Sequence, residues 1–220
     1  MTSEKYRAAI FDLDGTLINS LEDLADSVND MLNHFGFPTR SLEETRIAVG
    51  NGSRLLMKRS LPPDSSDELI DDALKFYKIC YESRLTNKTR PYSGILEMLQ
   101  KLRDKKIPLG ICTNKHHEAA VEIADKLFPK STFDSILGDQ KNLPRKPDPK
   151  KVLMIAEKFG VDPAEVAYFG DSSVDMETAI NAKFLPIGVT WGFRDESELV
   201  NSGAKIILNH PRELFDRVNF

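Results

Sequence analysis

A short apolar run near the start of the chain ends in two carboxylates that are separated by a single residue. Residues 8–11 are Ala-Ala-Ile-Phe, and Asp12 and Asp14 follow with only a leucine between them. The run predicts a buried strand, and Gly15 predicts the turn that ends it. Acids at the end of such a strand suit an α/β sheet, because these sheets bind ligands at the carboxyl ends of their strands. Carboxylates near an interior are costly without a partner, so we expect a cation or a reaction to require this pair.

Strand-like and helix-like segments alternate over the second half of the chain. Helical spacing of apolar residues separates most of the strand-like runs. Such alternation predicts a mainly parallel sheet with helices on both faces, which is an α/β fold. The predicted strands after the first are residues 107–112, 133–137, 166–169, 185–189 and 206–208.

The stretch between the acid pair and this alternation follows a helical pattern and contains no convincing strand. Ser20 with Asp23, and Ser41 with Glu44, have the spacing of a capping box, which marks the start of a helix. A helical stretch inside an alternating chain indicates a helical insertion in an α/β core. The predicted bounds are residues 1–16 and 89–220 for the core and residues 17–88 for the insertion.

The composition is that of an ordinary globular protein and argues against several classes of function. The formal net charge is -4, whereas nucleic-acid binding requires a basic face. No apolar run approaches the ~20 residues of a membrane span, and residues 1–7 lack the apolar core of a signal peptide. The two cysteines, Cys80 and Cys112, are too few for a disulfide framework or a cysteine-rich zinc site. We therefore expect a cytoplasmic protein that contacts neither nucleic acid nor membrane.

Polar side chains follow four of the predicted strands, at or soon after the point where each strand ends. Because the carboxyl ends of parallel strands share one edge of a sheet, we expect these side chains to converge. Each of them alone would have a plainer interpretation, such as a helix cap, a surface lysine or an acid in the first turn of a helix. The converging residues are Asp12, Asp14, Thr113, Asn114, Lys146, Asp171 and Asp175.

The combined set of residue types indicates a phosphoryl-transfer site. The carboxylates outnumber the lysine, and Mg²⁺ binds a few carboxylates together with water and substrate phosphate. The lysine, the hydroxyl and backbone amides can hold the oxygens of a phosphate. A metal, an anion clamp and an exposed carboxylate nucleophile describe phosphoryl transfer through an aspartyl phosphate. A calcium loop is a poor alternative, because an EF-hand requires glycine at the sixth loop position and Gly15 would be the fourth.

Four motifs, in this order along the chain, resemble those of the haloacid dehalogenase-like phosphatase superfamily. The resemblance implies a Rossmann-like parallel sheet with helices on both faces and an all-helical cap domain inserted after the first motif. Residues 11–17, 49–52 and 188–193 look most like the phosphoglycolate phosphatase branch. The four motifs are Asp12-Leu-Asp14-Gly-Thr, Thr113-Asn114, Lys146-Pro and Gly-Asp171-Ser-Ser-Val-Asp175.

The resemblance implies a division of work among the catalytic and phosphate-binding residues. Asp12 would attack the phosphorus, and Asp14 would protonate the leaving oxygen and then activate water. Thr113 and the backbone of Asn114 would hold the phosphoryl oxygens. Lys146 would neutralise negative charge on the nucleophile and on the phosphate.

The resemblance also implies a magnesium site. Asp12, Asp171 and the carbonyl oxygen of Asp14 would bind the ion. Asp175 would be a further ligand, or it would orient the water ligands of the ion or the lysine. A bound cation partly cancels negative charge, which permits an anionic nucleophile to approach an anionic substrate.

The predicted activity is Mg²⁺-dependent hydrolysis of small phosphate monoesters, with 2-phosphoglycolate as the favoured substrate. The alternatives are a phosphomutase of the same superfamily, similar to β-phosphoglucomutase, and a non-catalytic module that senses phosphate. The expected partner is a small phosphorylated metabolite, and both a monomer and a homodimer are compatible with the sequence. In the cap, Asn51 lies in a loop that could close over a substrate, and Arg54 could face its carboxylate. A turn and a solvated helix charge are the plainer interpretations of these two residues.

Overall fold

A computed structural model describes residues 5–220, so residues 1–4 of the polar N-terminal segment lie outside the described residues. The chain divides into two compact units. An α/β unit runs through Ile18 and resumes over Pro91–Phe220, and a helical unit comprises Asn19–Arg90. The chain therefore leaves the α/β unit once and returns to it once.

Strands and helices alternate through the α/β unit, whereas four consecutive helices make up the helical unit. The strands are β1 (Ala8–Phe11), β2 (Ile18–Asn19), β3 (Arg90–Pro91), β4 (Leu109–His116), β5 (Ser135–Asp139), β6 (Val166–Gly170), β7 (Leu185–Val189) and β8 (Ile206–Leu208). The helices are α1 (Leu21–His34), α2 (Leu42–Ala48), α3 (Ser53–Ser60), α4 (Asp67–Glu82), α5 (Ile95–Asp104), α6 (His117–Leu127), α7 (Lys150–Phe159), α8 (Ser173–Ala182), α9 (Glu196–Asn201) and α10 (Leu214–Arg217). Within residues 5–220, no helix is long and apolar enough to cross a membrane.

Six of the strands form one parallel sheet with β1 near its middle. The order is β5-β4-β1-β6-β7-β8, and every neighbouring pair is parallel. Ile10 of β1 lies between Gly110 of β4 and Tyr168 of β6. All four residues of β1 are buried, which agrees with its apolar sequence. The predicted α/β fold with a parallel sheet is thus confirmed.

Helices pack against this sheet through their apolar faces. One apolar cluster joins Ile10 of β1 and Tyr168 of β6 to Val152 and Ile155 of α7 and to Ala179 of α8, and all five are fully buried. Removing apolar surface from water contributes about 25 cal/mol per Å². This packing fixes the strands, and with them the polar residues at the strand ends.

The helical unit is organised around α1, which packs against the other three helices of the unit. The apolar face of α1 buries Leu24, Val28 and Leu32 at helical spacing. The capping box predicted for Ser41 and Glu44 is confirmed. The Ser41 hydroxyl oxygen accepts the Glu44 N–H at 3.2 Å, and the Glu44 carboxylate accepts the Ser41 N–H at 2.8 Å.

The capping box predicted for Ser20 and Asp23 is wrong. The Ser20 side chain makes no capping hydrogen bond at the start of α1. Asp23 is 1% exposed, and its carboxylate instead accepts the N–H groups of Lys88 and Thr89 and the Thr89 hydroxyl. A buried carboxylate is most stable where several donors converge on it, and the segment after α4 supplies three of them.

The other differences from the sequence-based prediction concern short or irregular elements. β2 and β3 have two residues each, which is too short to show an alternating pattern, so no strand was expected at these positions. β4 continues past the predicted end at residue 112, and its pairing with β5 becomes irregular there. Cys112 pairs with Leu137, but the next matched pair is His116 with Asp139.

Candidate active site

Three buried carboxylates meet at the carboxyl ends of the neighbouring strands β1 and β6. Asp12 follows β1 directly, and its N–H donates to the Phe169 carbonyl oxygen at 2.8 Å. Asp171 follows β6, and Asp175 lies in the first turn of α8. One carboxylate oxygen from each of the three acids lies within 4.8 Å of the others. The parallel pairing of β1 with β6 therefore brings together residues that are far apart in sequence.

Lys146 supplies a buried cation to these acids. Its Nζ lies 2.7 Å from Asp12 Oδ1 and donates to Asp175 Oδ1 at 2.6 Å. The Tyr168 hydroxyl accepts a further hydrogen bond from it at 3.2 Å. Asn114 fixes the lysine backbone, because its Oδ1 accepts the Lys146 N–H at 2.8 Å and its Nδ2 donates to the Lys146 carbonyl at 3.1 Å. The Asn114 side chain therefore joins β4 to the loop that carries the lysine.

The protonation of these groups reflects an excess of buried negative charge. Burial and the charge of Asp175 raise the pKa of Asp12 to about 7, although Lys146 acts in the opposite direction. Burial, Asp175 and Asp12 together raise the pKa of Asp171 well above its ordinary value. Burial would lower the pKa of Lys146, but the charges of Asp12 and Asp175 outweigh it and hold that pKa well above its usual range. The positive charge of one lysine therefore does not balance the negative charge of three buried carboxylates.

The acid cluster fits a divalent cation that is bound through oxygen. Asp12 Oδ1 touches Lys146 Nζ without hydrogen-bond geometry and, within the described residues, is otherwise buried without a hydrogen-bond partner. Asp171 Oδ2 accepts the Phe193 N–H at 2.7 Å, which orients that carboxylate. Mg²⁺ prefers carboxylate and carbonyl oxygens, and positive charge here would oppose the raised pKa values. Asp12 and Asp171 each offer a carboxylate oxygen to such an ion, and a contribution from the carbonyl oxygen of Asp14 stays a prediction.

Asp175 is surrounded by donors. Its Oδ1 accepts hydrogen bonds from Lys146 Nζ and from the Tyr168 hydroxyl, at 2.6 and 3.3 Å. Its Oδ2 accepts the Ser172 hydroxyl at 2.6 Å and the Ser172 N–H at 3.2 Å, and the second of these bonds is one half of a capping box at the start of α8. Both carboxylate oxygens of Asp175 already accept hydrogen bonds. Asp175 is therefore better suited to position the lysine than to bind a metal directly.

Glycines allow the backbone to approach the carboxylates closely. A Cβ atom on Gly15 would lie 2.2 Å from Asp171 Oδ2, and one on Gly192 would lie 2.3 Å from the Asp171 Cβ. A Cβ atom on Gly170 would lie 2.1 Å from the Asp175 Cβ. Such separations are far below van der Waals contact, so any larger residue at these positions would displace the acids.

Asp14 and Thr113 are linked through Lys115. Lys115 Nζ donates to both carboxylate oxygens of Asp14, at 2.9 and 3.1 Å, and the lysine side chain is only 6% exposed. The Lys115 N–H donates to the hydroxyl oxygen of Thr113 at 3.1 Å. The end of β4 thus contacts the acid pair that follows β1.

Three functional contacts were missed by sequence reasoning. Lys115 follows Thr113 and Asn114 directly, so its position after a predicted strand could have identified it as a candidate site residue. The side chain of Asn114 was not expected to hold Lys146, since that contact depends on tertiary packing. Tyr168 lies inside a predicted buried strand, and nothing in the sequence distinguishes its hydroxyl from a core residue.

The two cap candidates belong to the helical unit. Arg54 is 40% exposed, and its guanidinium donates to Asp67 and Asp71, at 2.8 Å in each case. Asn51 is exposed, with a φ of 61° in the left-handed region that asparagine tolerates. A contact between either residue and a substrate stays a prediction, whereas the other seven candidates all lie in the α/β unit.

The sequence is similar to one family of hydrolases along most of its length. The model of the haloacid dehalogenase-like hydrolase family matches residues 9–189. The phosphoglycolate phosphatase of Chromobacterium violaceum is 33% identical over 220 residues, which cover 98% of each chain. The phosphoglycolate phosphatase of Psychrobacter arcticus is also 33% identical, over 94% of this chain and 90% of the relative.

Solved structures share the fold. A Lactobacillus delbrueckii subsp. bulgaricus protein superposes with a TM-score of 0.92 at 29% identity, over 98% of this chain and 99% of that one. A Haemophilus somnus protein superposes with a TM-score of 0.90 at 26% identity, over 97% of this chain and 98% of that one. Both are described as phosphoglycolate phosphatases by prediction. The chain belongs to the haloacid dehalogenase-like hydrolase family and is a phosphoric monoester hydrolase of the phosphoglycolate phosphatase-like branch.

Proposed function

We propose that this enzyme is a Mg²⁺-dependent phosphatase that hydrolyses small phosphate monoesters, with 2-phosphoglycolate as the favoured substrate. The observation that carries the proposal is the buried cluster of Asp12, Asp171 and Asp175 at the ends of parallel strands, with Lys146 paired to Asp12 and Asp175. The names of the relatives support the choice of substrate.

We propose Asp12 as the nucleophile. An oxygen of its carboxylate forms a bond to phosphorus while the bond from phosphorus to the leaving oxygen breaks, which gives an aspartyl phosphate. Lys146, 2.7 Å from Asp12 Oδ1, offsets the charge of the carboxylate and of the incoming phosphoryl group. When bound by Asp12, Asp171 and the Asp14 carbonyl oxygen, Mg²⁺ would add further positive charge at the same place.

We propose Asp14 as the acid and then the base. In the first step its carboxyl proton passes to the leaving oxygen, so the alcohol departs neutral. In the second step its carboxylate accepts a proton from the water that attacks the phosphorus, and the Asp12 carboxylate is released. Lys115, 2.9 Å from Asp14 Oδ1, holds the side chain in place.

The phosphoryl oxygens are proposed to bind at the end of β4. The Thr113 hydroxyl and the backbone N–H of Asn114 are donors of the kind that stabilise charge on a transferring phosphoryl group. Thr113 is 2% exposed, which places this hydroxyl in a largely dry environment where such a bond is stronger than in water.

The specificity for the rest of the substrate is assigned to the helical unit. Arg54 would have to exchange Asp67 and Asp71 for the carboxylate of the substrate, which is feasible because surface ion pairs contribute little, about 0–1 kcal/mol. A small phosphorylated metabolite is the proposed partner, and the cytoplasm the proposed location.

The proposal is tested by measuring the inorganic phosphate that the purified protein releases from phosphate esters. We expect 2-phosphoglycolate to have the highest kcat/KM in a panel of phosphorylated metabolites, and we expect a chelator to abolish turnover. Asp12→Asn should remove activity while the far-UV circular dichroism spectrum stays unchanged. Conversion of β-glucose 1-phosphate in the presence of a bisphosphate activator would indicate a mutase instead. Phosphate binding without turnover of any ester would indicate a sensing module.

A further inference from the structure

Lys151 of α7 is a fully buried amine that takes no part in the reaction proposed above. Its exposed fraction is 0%. Its Nζ donates to the Thr113 carbonyl oxygen at 3.0 Å and to the Gly138 carbonyl oxygen at 3.3 Å. Burying an amine costs free energy unless its N–H groups donate hydrogen bonds, and these two hydrogen bonds offset that cost.

The two carbonyls belong to strands that lose register at this point. β4 advances from Cys112 to His116 while β5 advances only from Leu137 to Asp139. Extra residues in one strand leave groups of the ladder unpaired, and buried carbonyls require donors. We call this irregular segment, residues 112–116 of β4 with residues 137–139 of β5, the β4–β5 bulge. Lys151 donates to one carbonyl on each strand and therefore holds the two strands of the bulge together.

The β4–β5 bulge carries the residues that are proposed to bind phosphate. The peptide between Thr113 and Asn114 is trans, and in a planar trans peptide the carbonyl and the following N–H point in opposite directions. Because Lys151 fixes the Thr113 carbonyl, the Asn114 N–H points away from the buried amine. A donor on the carbonyl also polarises the peptide, which strengthens its N–H as a donor.

The contacts do not depend on the charge of the amine. Burial lowers the pKa of Lys151 from its ordinary value. The neutral amine still has two N–H bonds, one for each of the two carbonyls. The geometry at Thr113 and Gly138 is therefore compatible with either protonation state.

We propose that Lys151 is a positioning residue for phosphate: by fastening the β4–β5 bulge it aims the Asn114 N–H at the phosphoryl group. The inference rests on the proposed function, since that function makes this end of β4 a phosphate site. Lys151 does not touch the substrate and acts through the Thr113 peptide.

The test compares Lys151→Met with Lys150→Met. Lys150 is the preceding residue of the same helix but is exposed, so the matched control makes the same chemical change away from the bulge. Inorganic phosphate is titrated calorimetrically into each protein in the presence of Mg²⁺, and Mg²⁺ is titrated without phosphate. We expect Lys151→Met to bind phosphate about tenfold more weakly while its affinity for Mg²⁺ is unchanged. Lys150→Met should bind both ions like the wild type.

The affinity for Mg²⁺ separates positioning from a general structural role. A loosened fold would weaken Mg²⁺ and phosphate together, and that result would overturn the inference. Unchanged phosphate affinity in Lys151→Met, or a wild type that binds no phosphate, would also overturn it. If Lys151→Met does not fold, Lys151→Gln is compared with Lys150→Gln in the same titrations.

The readout is binding, so it is independent of turnover. A wild-type protein that binds phosphate but hydrolyses no monoester would contradict the proposed function. The titrations of the two lysine variants would still decide the role of Lys151.

Discussion

Asp12 must be negatively charged to act as a nucleophile, yet its surroundings oppose that charge. Its pKa in the folded protein is raised to about 7 by burial and by Asp175, against the effect of Lys146. In the unfolded chain the carboxyl ionises near its ordinary value. The folded state therefore holds the proton more tightly, and the stability that this gives at low pH is lost as the pH rises through the folded pKa.

Asp12→Asn should flatten this pH dependence. We expect the Tm of the metal-free wild type to fall between about pH 4 and about pH 7, the ordinary and the folded pKa of Asp12, and the Tm of the variant to fall less. Calorimetric scans in a chelator measure both. Asp216→Asn changes an exposed acid of α10 and should keep the wild-type slope. Equal slopes for Asp12→Asn and the wild type would contradict the raised pKa.

Asn114 links two motifs through hydrogen bonds to the Lys146 backbone, so its loss should misplace the lysine. A displacement of about 1 Å in an active site can reduce the rate about 100-fold, and we expect kcat/KM of Asn114→Ala to fall about 10- to 100-fold. Asn181→Ala is the control, because Asn181 donates to the Pro147 carbonyl from an exposed position. Steady-state kinetics should show a much smaller loss in the control. Similar losses in both variants would argue against a specific role for Asn114.

At the scale of single residues, the sequence predicts side chains whose position follows from a strand end. Asp12 and Lys146 were identified in that way. Tyr168 lies in an apolar strand, and Lys151 follows Lys150 at the start of a helix where lysines are ordinarily exposed, so the sequence does not predict a role for either. Their polar tips find partners only after the helices and strands have packed, which local sequence does not encode.

Among the elements, α1 of the helical unit carries an unexpected anchor. Asp23 accepts the N–H groups of Lys88 and Thr89 and the Thr89 hydroxyl, and its exposed fraction is 1%. These bonds tie α1 to the segment that ends the helical unit. The anchor replaces the predicted capping box with Ser20.

Asp23→Asn should destabilise the protein by about 1–3 kcal/mol, because the amide group would face backbone donors that lose their acceptor. The free energy of unfolding in urea measures the effect. Asp26→Asn makes the same change on the same helix at an acid that is 41% exposed and pairs with Lys88. An exposed pair contributes about 0–1 kcal/mol, so the control should lose less. Equal losses would contradict the role of Asp23 as an anchor.

The predictability of an element depends on how regular it is. β7 and β8 have the predicted bounds, because their apolar runs coincide with their pairing. β4 extends beyond its apolar run to His116, since the β4–β5 bulge continues the strand through polar residues. The hydrophobic pattern therefore predicts the bounds of a strand poorly where the strand continues into polar residues of the site.

For the whole molecule, strand order converts distant motifs into one site. β1 lies between β4 and β6, so Asp12 and Asp171, which follow β1 and β6, lie beside Thr113 in the C-terminal half of β4. Alternation of strands and helices predicted the parallel sheet, and parallel pairing predicted a shared edge. The substrate contacts of the helical unit could not be predicted in the same way. Arg54 is engaged by Asp67 and Asp71, and helical periodicity says nothing about such partners.

The central claim is that Asp12 becomes phosphorylated, and Asp14→Asn allows a direct test with p-nitrophenyl phosphate and Mg²⁺. Nitrophenolate is a good leaving group that needs no acid, so the phosphoryl group is still transferred to Asp12. Hydrolysis of the aspartyl phosphate lacks its base in this variant and should slow about 100-fold. After an acid quench, mass spectrometry should find a phosphoryl group on the peptide that contains Asp12. Adding Asp12→Asn to this variant should remove it. Release of phosphate without that modified peptide, or a phosphoryl group on another residue, would contradict the account.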